Sequence, residues 1–390
     1  MTMLLFIIYV ATGLETLIGG RNNINDVMYV TTVVLDKIDD ETVQMTVVTK
    51  QYAPEEETSA LAKKDQYFVS RGKDMFDANR NFHDFMDKDG FWGHLDFIII
   101  SEELANKDID AALDYFIRGH ENKLTAKVLI SKGASAEEVI KEIVDKGEDI
   151  TSLLNVLSKG ISALSVSSEL KLTGAFNKIN NQYCSCYIPT IELVEDEASV
   201  KENDEDPKRK LMMDGYAFFD QDDASLLCFI QGSRARGFNF LKNKIVSGVI
   251  TVLDPEGEKV TLEIISSKTK ILPEFKNDEL VVKIVNETTS NIVEVNGTMN
   301  IFVHEIIESL IQQQNDIIES EMQSVINLSN EYESDLFDLS SIITHEYPLR
   351  WNEIKEKWRS EFLNVRYEIE VESNINRTYV ITKPSLYREE

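Results

Sequence analysis

The clearest hydrophobic pattern in the chain runs over residues 301–371. Val303, Ile307, Leu310, Ile317, Met322 and Val325 recur close to one helical face and predict a long amphipathic helix. A polar break, Asn330-Glu-Tyr-Glu-Ser334, separates it from a second helical piece over residues 335–344. Pro348 stands where a first-turn proline is tolerated, and Trp351, Ile354, Trp358 and Phe362 make one apolar face of a further short helix. Both tryptophans are expected to be core anchors. Val365, Tyr367, Ile369 and Val371 then alternate with Arg366, Glu368, Glu370 and Glu372, the period of a half-buried strand. Helices followed by a strand returning to a sheet predict a packed α+β domain.

Upstream the period keeps changing between two and three-to-four. Residues 27–35 and 42–49 are β-branched runs parted by Asp39-Asp40, a hairpin pattern. Tyr67-Phe-Val69 reads as a strand and residues 74–86 as a helix, followed by a continuous apolar strand over 95–100. Ser101 with Glu102 and Glu103 caps a helix to about Ile117, residues 124–130 form a strand, and Gly133-Ala-Ser135 opens a helix through Val144. Residues 150–180 continue as helix with polar breaks. Strands alternating with helices imply a partly parallel sheet covered by helices.

Residues 195–210 are almost wholly charged and are expected to be solvated chain between domains. Beyond them, Gly215-Tyr-Ala-Phe-Phe219 and Ser225-Leu-Leu-Cys-Phe-Ile230 flank a polar turn and predict a hairpin. Gly232-Ser-Arg-Ala-Arg-Gly-Phe-Asn-Phe-Leu241 follows, then short strands over 245–253, 260–264, 266–271, 279–285 and 291–295, with turns at Asp254-Pro-Glu-Gly257 and Asn296-Gly297. The expected fold class is α+β, multi-domain and mixed α/β. An N-terminal domain of alternating strands and helices precedes an antiparallel sheet with a long helix and a C-terminal helix-strand unit. The expected division is a signal-like apolar segment at 1–20, an α/β domain at 21–195, a linker at 196–210 and an α+β domain at 211–385, with a further split near 300 left open.

Charge changes the functional picture more than length does. A net charge of −28 over 390 residues opposes binding to a phosphate backbone, and opposes adsorption to an anionic lipid surface without an anchor. No apolar run reaches the roughly 18–20 residues of a membrane span. Three cysteines cannot make a disulfide framework; Cys184 and Cys186 sit too close for an ordinary bridge, and Cys228 lies in an apolar run. A Cys-x-Cys pair could bind a soft metal, but no second half-site stands at zinc-ligand spacing. The five histidines, His83, His94, His120, His304 and His345, are scattered. The Gly232/Gly237 pair lacks a phosphate-loop pattern, so Gly237 is expected in a turn that needs unusual dihedrals. Asp222 and Asp223 are expected as a solvated turn pair. No nucleophile elbow, His-paired cysteine or ligand cluster is legible, so no catalytic, cofactor or metal residue is predicted and the chain is expected not to be an enzyme.

Several phrases resemble a known family in order. They are Gly93-His-Leu-Asp-Phe-Ile-Ile-Ile-Ser-Glu-Glu-Leu-Ala105, then Leu113-Asp-Tyr-Phe-Ile-Arg118, then Ala126-Lys-Val-Leu-Ile130. Arg236-Gly237 with Phe240-Leu241 follows, and last Tyr347-Pro-Leu-Arg-Trp351 through Trp358, Phe362 and Asn376-Arg377-Thr378. The order is similar to that of the Ger(x)C family, the C subunits of nutrient germinant receptors of endospore-forming bacteria. The resemblance spans about residues 25–378, with Gly119-His120 a mild departure at the exit of one helix. It implies a non-enzymatic receptor subunit without cofactors, on the outer face of the spore inner membrane. Its partners would be an integral membrane subunit and a transporter-like subunit. Family members begin with a lipoprotein signal ending in a cysteine that takes the lipid. Residues 3–10 have the length of a signal core, without a preceding Lys or Arg, and Gly20 stands where the lipid-bearing cysteine belongs. Glycine has no thiol, so the resemblance leaves three readings: an unanchored copy, a start recorded too late, or attachment through partners alone. A buried strand or helix is the other reading of residues 3–13. The alternative class is a free extracytoplasmic solute-binding protein, with a pocket between its domains.

Overall fold

The computed structural model describes residues 27–376, apart from 51–64, 87, 120–121, 197–208, 278, 298–299 and 302. Gly20 and the apolar segment around residues 3–10 lie outside the described residues, as do His120, Arg377 and Thr378.

The expected hairpin is β1 (Val27–Asp39) with β2 (Thr42–Lys50), turned where the Asp39 carboxylate accepts the Glu41 N–H at 2.9 Å. β3 (Gln66–Gly72) adds antiparallel to β2. The next helix, α1 (Met75–Asn81), is capped by Asp74, but it tightens into a 3-10 turn at Phe82–Asp84 and so stops short of residue 86. β4 (Asp89–Phe91) is a short partner of β1. Then come β5 (Phe97–Ser101), α2 (Glu102–Arg118), β6 (Lys127–Lys132), α3 (Ala136–Val144), α4 (Ile150–Leu164), α5 (Leu172–Ile179), β7 (Cys186–Glu195), β8 (Arg209–Phe219) and β9 (Leu226–Ile230).

These nine strands form one sheet in the order β3-β2-β1-β5-β6-β7-β8-β9, with β4 beside β1. β1, β5, β6 and β7 are mutually parallel and the flanking strands antiparallel. The central strand β5 is buried at every position, as its unbroken apolar run requires when helices cover both faces. One face receives α1, α2 and α5 through Ala78, Leu104, Leu113, Phe116 and Ala175. The other receives α3 and α4 through Val139, Ile140, Ile143, Leu154 and Ile161.

The charged run joins β7 to β8, which pair antiparallel from Glu195↔Arg209 to Cys186↔Phe219. The first sheet therefore crosses the interval expected to divide the chain and gains two strands beyond it. The run itself has nothing to bury, but the strands on either side do, so it links neighbours within one sheet.

After β9, α6 (Gly232–Leu241) leads to β10 (Gly248–Leu253), β11 (Lys259–Lys276) and β12 (Glu279–Val295). Next come α7 (His304–Glu331), α8 (Leu339–Glu346), α9 (Pro348–Ile354), α10 (Trp358–Leu363) and β13 (Arg366–Asn376). The second sheet runs β10-β11-β12-β13, with β13 parallel to β12 and the others antiparallel. The strands expected separately at 260–264 and 266–271 are one strand, β11, with an irregularity between Ile264 and Ser266. The pieces at 279–285 and 291–295 likewise merge into β12. Trp351 and Trp358 stack edge-to-face at 5.3 Å and are 5% and 2% exposed. Leu339, not Asp335, opens the second helical piece, because the Asp335 carboxylate receives the N–H groups of Leu339 (2.9 Å) and Ser340 (2.8 Å).

Gly237 is not in a turn. It lies within α6, where a Cβ would stand 2.2 Å from the main-chain oxygen of Glu321 on α7. The glycine is needed for the close crossing of two helices. Its neighbour Arg236 locks that crossing: Nε donates to Glu321 Oε2 at 2.8 Å, a second nitrogen reaches Glu321 Oε1, and Nη1 donates to the Val249 carbonyl at 2.6 Å. Both side chains of the pair are largely buried.

Candidate functional site

Two places gather polar chemistry in the interior. The first is a crevice of about 820 Å³ above the carboxyl ends of β1, β5 and β6. The helices after the adjacent strands β5 and β6 leave to opposite faces of the sheet, α2 to one and α3 to the other. Such a divergence opens a cleft where α/β folds bind ligands. Ser101 caps α2 by accepting the Leu104 N–H at 3.3 Å, and Ser135 caps α3 by accepting the Glu138 N–H at 3.1 Å, as the sequence predicts.

Helix N-termini so placed ordinarily hold an anion. Here the protein supplies its own. Asp36, at the end of β1 and 3% exposed, accepts N–H groups from Ala136 (2.7 Å) and Glu137 (2.9 Å). Burial pushes its carboxyl up to about 6, with those two hydrogen bonds working against the shift. Glu102 accepts the Gly133 N–H at 2.9 Å, and Gln44 ties Glu137 (2.6 Å) to Arg71 (2.8 Å). The half-exposed residues Leu226, Leu227, Cys228 and Phe229 of β9 line an apolar side. Asp36 gives a faint sequence signal, a carboxylate closing an apolar strand, which the pattern reading passed over.

The second place is the seam between the sheets. Lys244 donates to Ser168 Oγ and to the Tyr187 hydroxyl, both at 2.9 Å, and its ammonium lies 4.8 Å from the Tyr187 ring centre. Lys178 approaches the same ring at 4.5 Å. Burial brings the Lys244 ammonium down to about 8, helped by Lys242 and Lys178. The Tyr216 hydroxyl donates to Asn239 Oδ1 at 2.7 Å, and Asn239 Nδ2 donates to the Ser165 carbonyl at 2.7 Å. Nearby, Ser185 N–H donates to the Asp335 carbonyl at 3.0 Å. Burial holds the Asp335 side chain up at about 6.

The structure does not gather the other singled-out residues into a site. Cys184 and Cys186 are buried free thiols, and burial raises Cys186 and the half-buried Cys228 each to about 12, far from reactive thiolates. Arg118 closes α2 in a 2.5 Å pair with Asp114. Asp222 is not merely solvated, because Arg359 of α10 donates to it at 2.5 Å and to Asp220 at 3.4 Å. Among the described residues no group of three or more His, Cys, Asp or Glu could hold a metal ion, and no helix is long and apolar enough to cross a membrane.

Residues 20–193 match the family described as spore germination protein N-terminal domain, and residues 214–379 match spore germination B3/GerAC like, C-terminal. The chain belongs to the Ger(x)C family of spore germination proteins. It is 24% identical over 329 residues to spore germination protein B3 of Bacillus subtilis (strain 168), covering 83% of this chain and 84% of that protein. Spore germination protein KC of the same organism is 23% identical over 314 residues, covering 75% and 74%. The crystal structure of the GerBC protein has a similar fold, with a TM-score of 0.56 at 20% identity over 88% of this chain and 96% of that one.

Proposed function

We propose that the chain is the C subunit of a nutrient germinant receptor and acts without catalysis. It would sit peripherally on the outer face of the spore inner membrane, beside an integral membrane subunit and a transporter-like subunit. Its work would be receptor assembly and the response to nutrients. Family membership over both halves supports the reading, and one structural observation carries its non-catalytic part. The helix N-termini best placed to receive a ligand, at α2 and α3, are taken by Asp36, Ser101 and Ser135. Polar chemistry in this interior ties elements together, so function falls to the surfaces.

Deleting the gene in its spore-forming host and following dipicolinic acid release after nutrient addition tests this. Loss of the nutrient response, with germination by non-nutrient routes intact, is expected. A normal nutrient response with no paralogue present overturns it. The crevice keeps a second reading in view, a free extracytoplasmic solute-binding protein. Calorimetric titration of the isolated chain with amino acids and sugars separates the two: saturable binding favours the second reading, and no heat favours the first.

A further inference from the structure

The two edges of the second sheet are finished differently. At β10 the edge is sealed by helix side chains. Gln313 of α7 donates to the Leu253 carbonyl at 2.8 Å and accepts the Leu253 N–H at 2.9 Å, while Arg236 takes the Val249 carbonyl. At the other end, β13 pairs with β12 from Val281↔Arg366 to Asn291↔Asn376 without a register shift. Among the described residues no strand lies beyond it and no side chain bonds to its outer main chain. An edge of this length presents a row of free N–H and C=O groups, a template for another strand.

The side chains of β13 describe what would fit. Tyr367, Ile369 and Val371 are only half-buried beside α7, leaving an apolar row part-covered. On the other face Arg366, Glu368, Glu370 and Glu372 are exposed. Glu368 pairs with Arg366 at 2.6 Å and Glu370 with Lys283, but Glu372 stands in register with Glu287, like charge beside like charge. A second copy pairing antiparallel at this edge would set one glutamate row against another, which is unfavourable. A basic strand would neutralise the row.

We propose that the outer edge of β13 docks an extended segment of a partner protein, alternating Lys or Arg with β-branched apolar residues, as a fifth strand. The apolar residues of the segment extend the Tyr367–Ile369–Val371 row, and its basic residues lie over Glu368, Glu370 and Glu372. The biological role of the edge rests on the receptor-subunit reading, but the binding is tested apart from germination.

The test uses the purified full chain and two labelled synthetic peptides of matched length, one alternating Lys and Val, the other Glu and Val. Fluorescence anisotropy reads affinity and amide hydrogen exchange reads location. The Lys–Val peptide is expected to bind and to slow exchange within residues 366–376. Glu368→Lys, Glu370→Lys and Glu372→Lys together are expected to weaken it by about tenfold and to reverse the preference toward the Glu–Val peptide. An equal charge change in the first half, Glu41→Lys, Glu103→Lys and Asp110→Lys, is expected to leave affinity unchanged. The proposal is overturned by no binding, by protection elsewhere, or by equal weakening in both triple variants. It is also overturned if the β13 amides are already fully protected in the free chain. Should the β13 triple variant not fold, Glu372→Lys alone must still weaken binding.

Discussion

The two sheets of this molecule solve the same problem in opposite ways. The nine-stranded sheet is covered on both faces, its parallel centre is apolar throughout, and the helix ends above it are closed by its own serines and by Asp36. The four-stranded sheet is covered on one face, leaves Lys268, Lys270, Glu287 and the glutamates of β13 exposed, and among the described residues has no strand beyond β13. The difference bears on contact with other molecules: the first sheet has both faces covered, whereas the second leaves one face exposed. The seam between them carries Lys244, Tyr187 and Ser168, and in the second half Arg236, Gly237 and Glu321 lock α6 to α7.

The largest effect is expected at that helix crossing. Gly237→Leu places a large side chain where even a Cβ meets the Glu321 main chain at 2.2 Å. It is expected to force α6 from α7 and cost more than about 4 kcal/mol. Calorimetry should then show the second half melting before the first, in place of a single transition. Arg236→Ala leaves Glu321 buried without its partner, and a loss of about 3–5 kcal/mol in urea unfolding is expected. Arg236→Ala with Glu321→Met should recover much of it, because no charge is then stranded.

A third prediction concerns pH. An ordinary Asp carboxyl ionises near 3.8, whereas burial holds Asp335 up at about 6. Between those values the folded chain keeps a proton that the unfolded chain has lost. Its contribution is fully present below about 4 and lost as pH rises through 6. Asp335→Asn, which cannot ionise, should flatten this part of the stability–pH curve by up to about 3 kcal/mol. Asp36 and Asp65, also raised to about 6, keep the remaining slope. The smallest effect is expected at the open edge: changing Glu368, Glu370 and Glu372 together to Lys should move stability by less than about 1 kcal/mol, because all three are solvated. A larger loss there would mean that the edge is part of the fold.

Much of the architecture is legible in the sequence because hydrophobic period and caps report it directly. The hairpin at Asp39-Asp40, the caps Ser101 and Ser135, the two core tryptophans and the alternation at β13 all follow from local chemistry. The misses share one cause, polar or flexible residues doing interior work. Glu321 and Gln314 lie on the buried side of α7, where a hydrophobic pattern discounts them. Gln314 donates to Ser290 Oγ at 2.8 Å and Glu321 clasps Arg236, so each finds a partner in another element of the fold. Gly237 reads as a turn because a helix crossing leaves no local trace. Composition marks the charged run as solvated chain, and the two family matches end and begin on either side of it, but composition does not report that β7 and β8 pair across it. The polar seam at Lys244, Tyr187 and Ser168 is drawn from three separated segments, beyond the reach of any motif.

The helix crossing has a mechanical consequence. Because Gly237 brings two backbones into contact and Arg236 ties them to β10, there is no soft layer to absorb sliding of His304–Glu331. A shift of that rod along its axis would have to carry α6 with it, and with α6 the end of β9 just ahead.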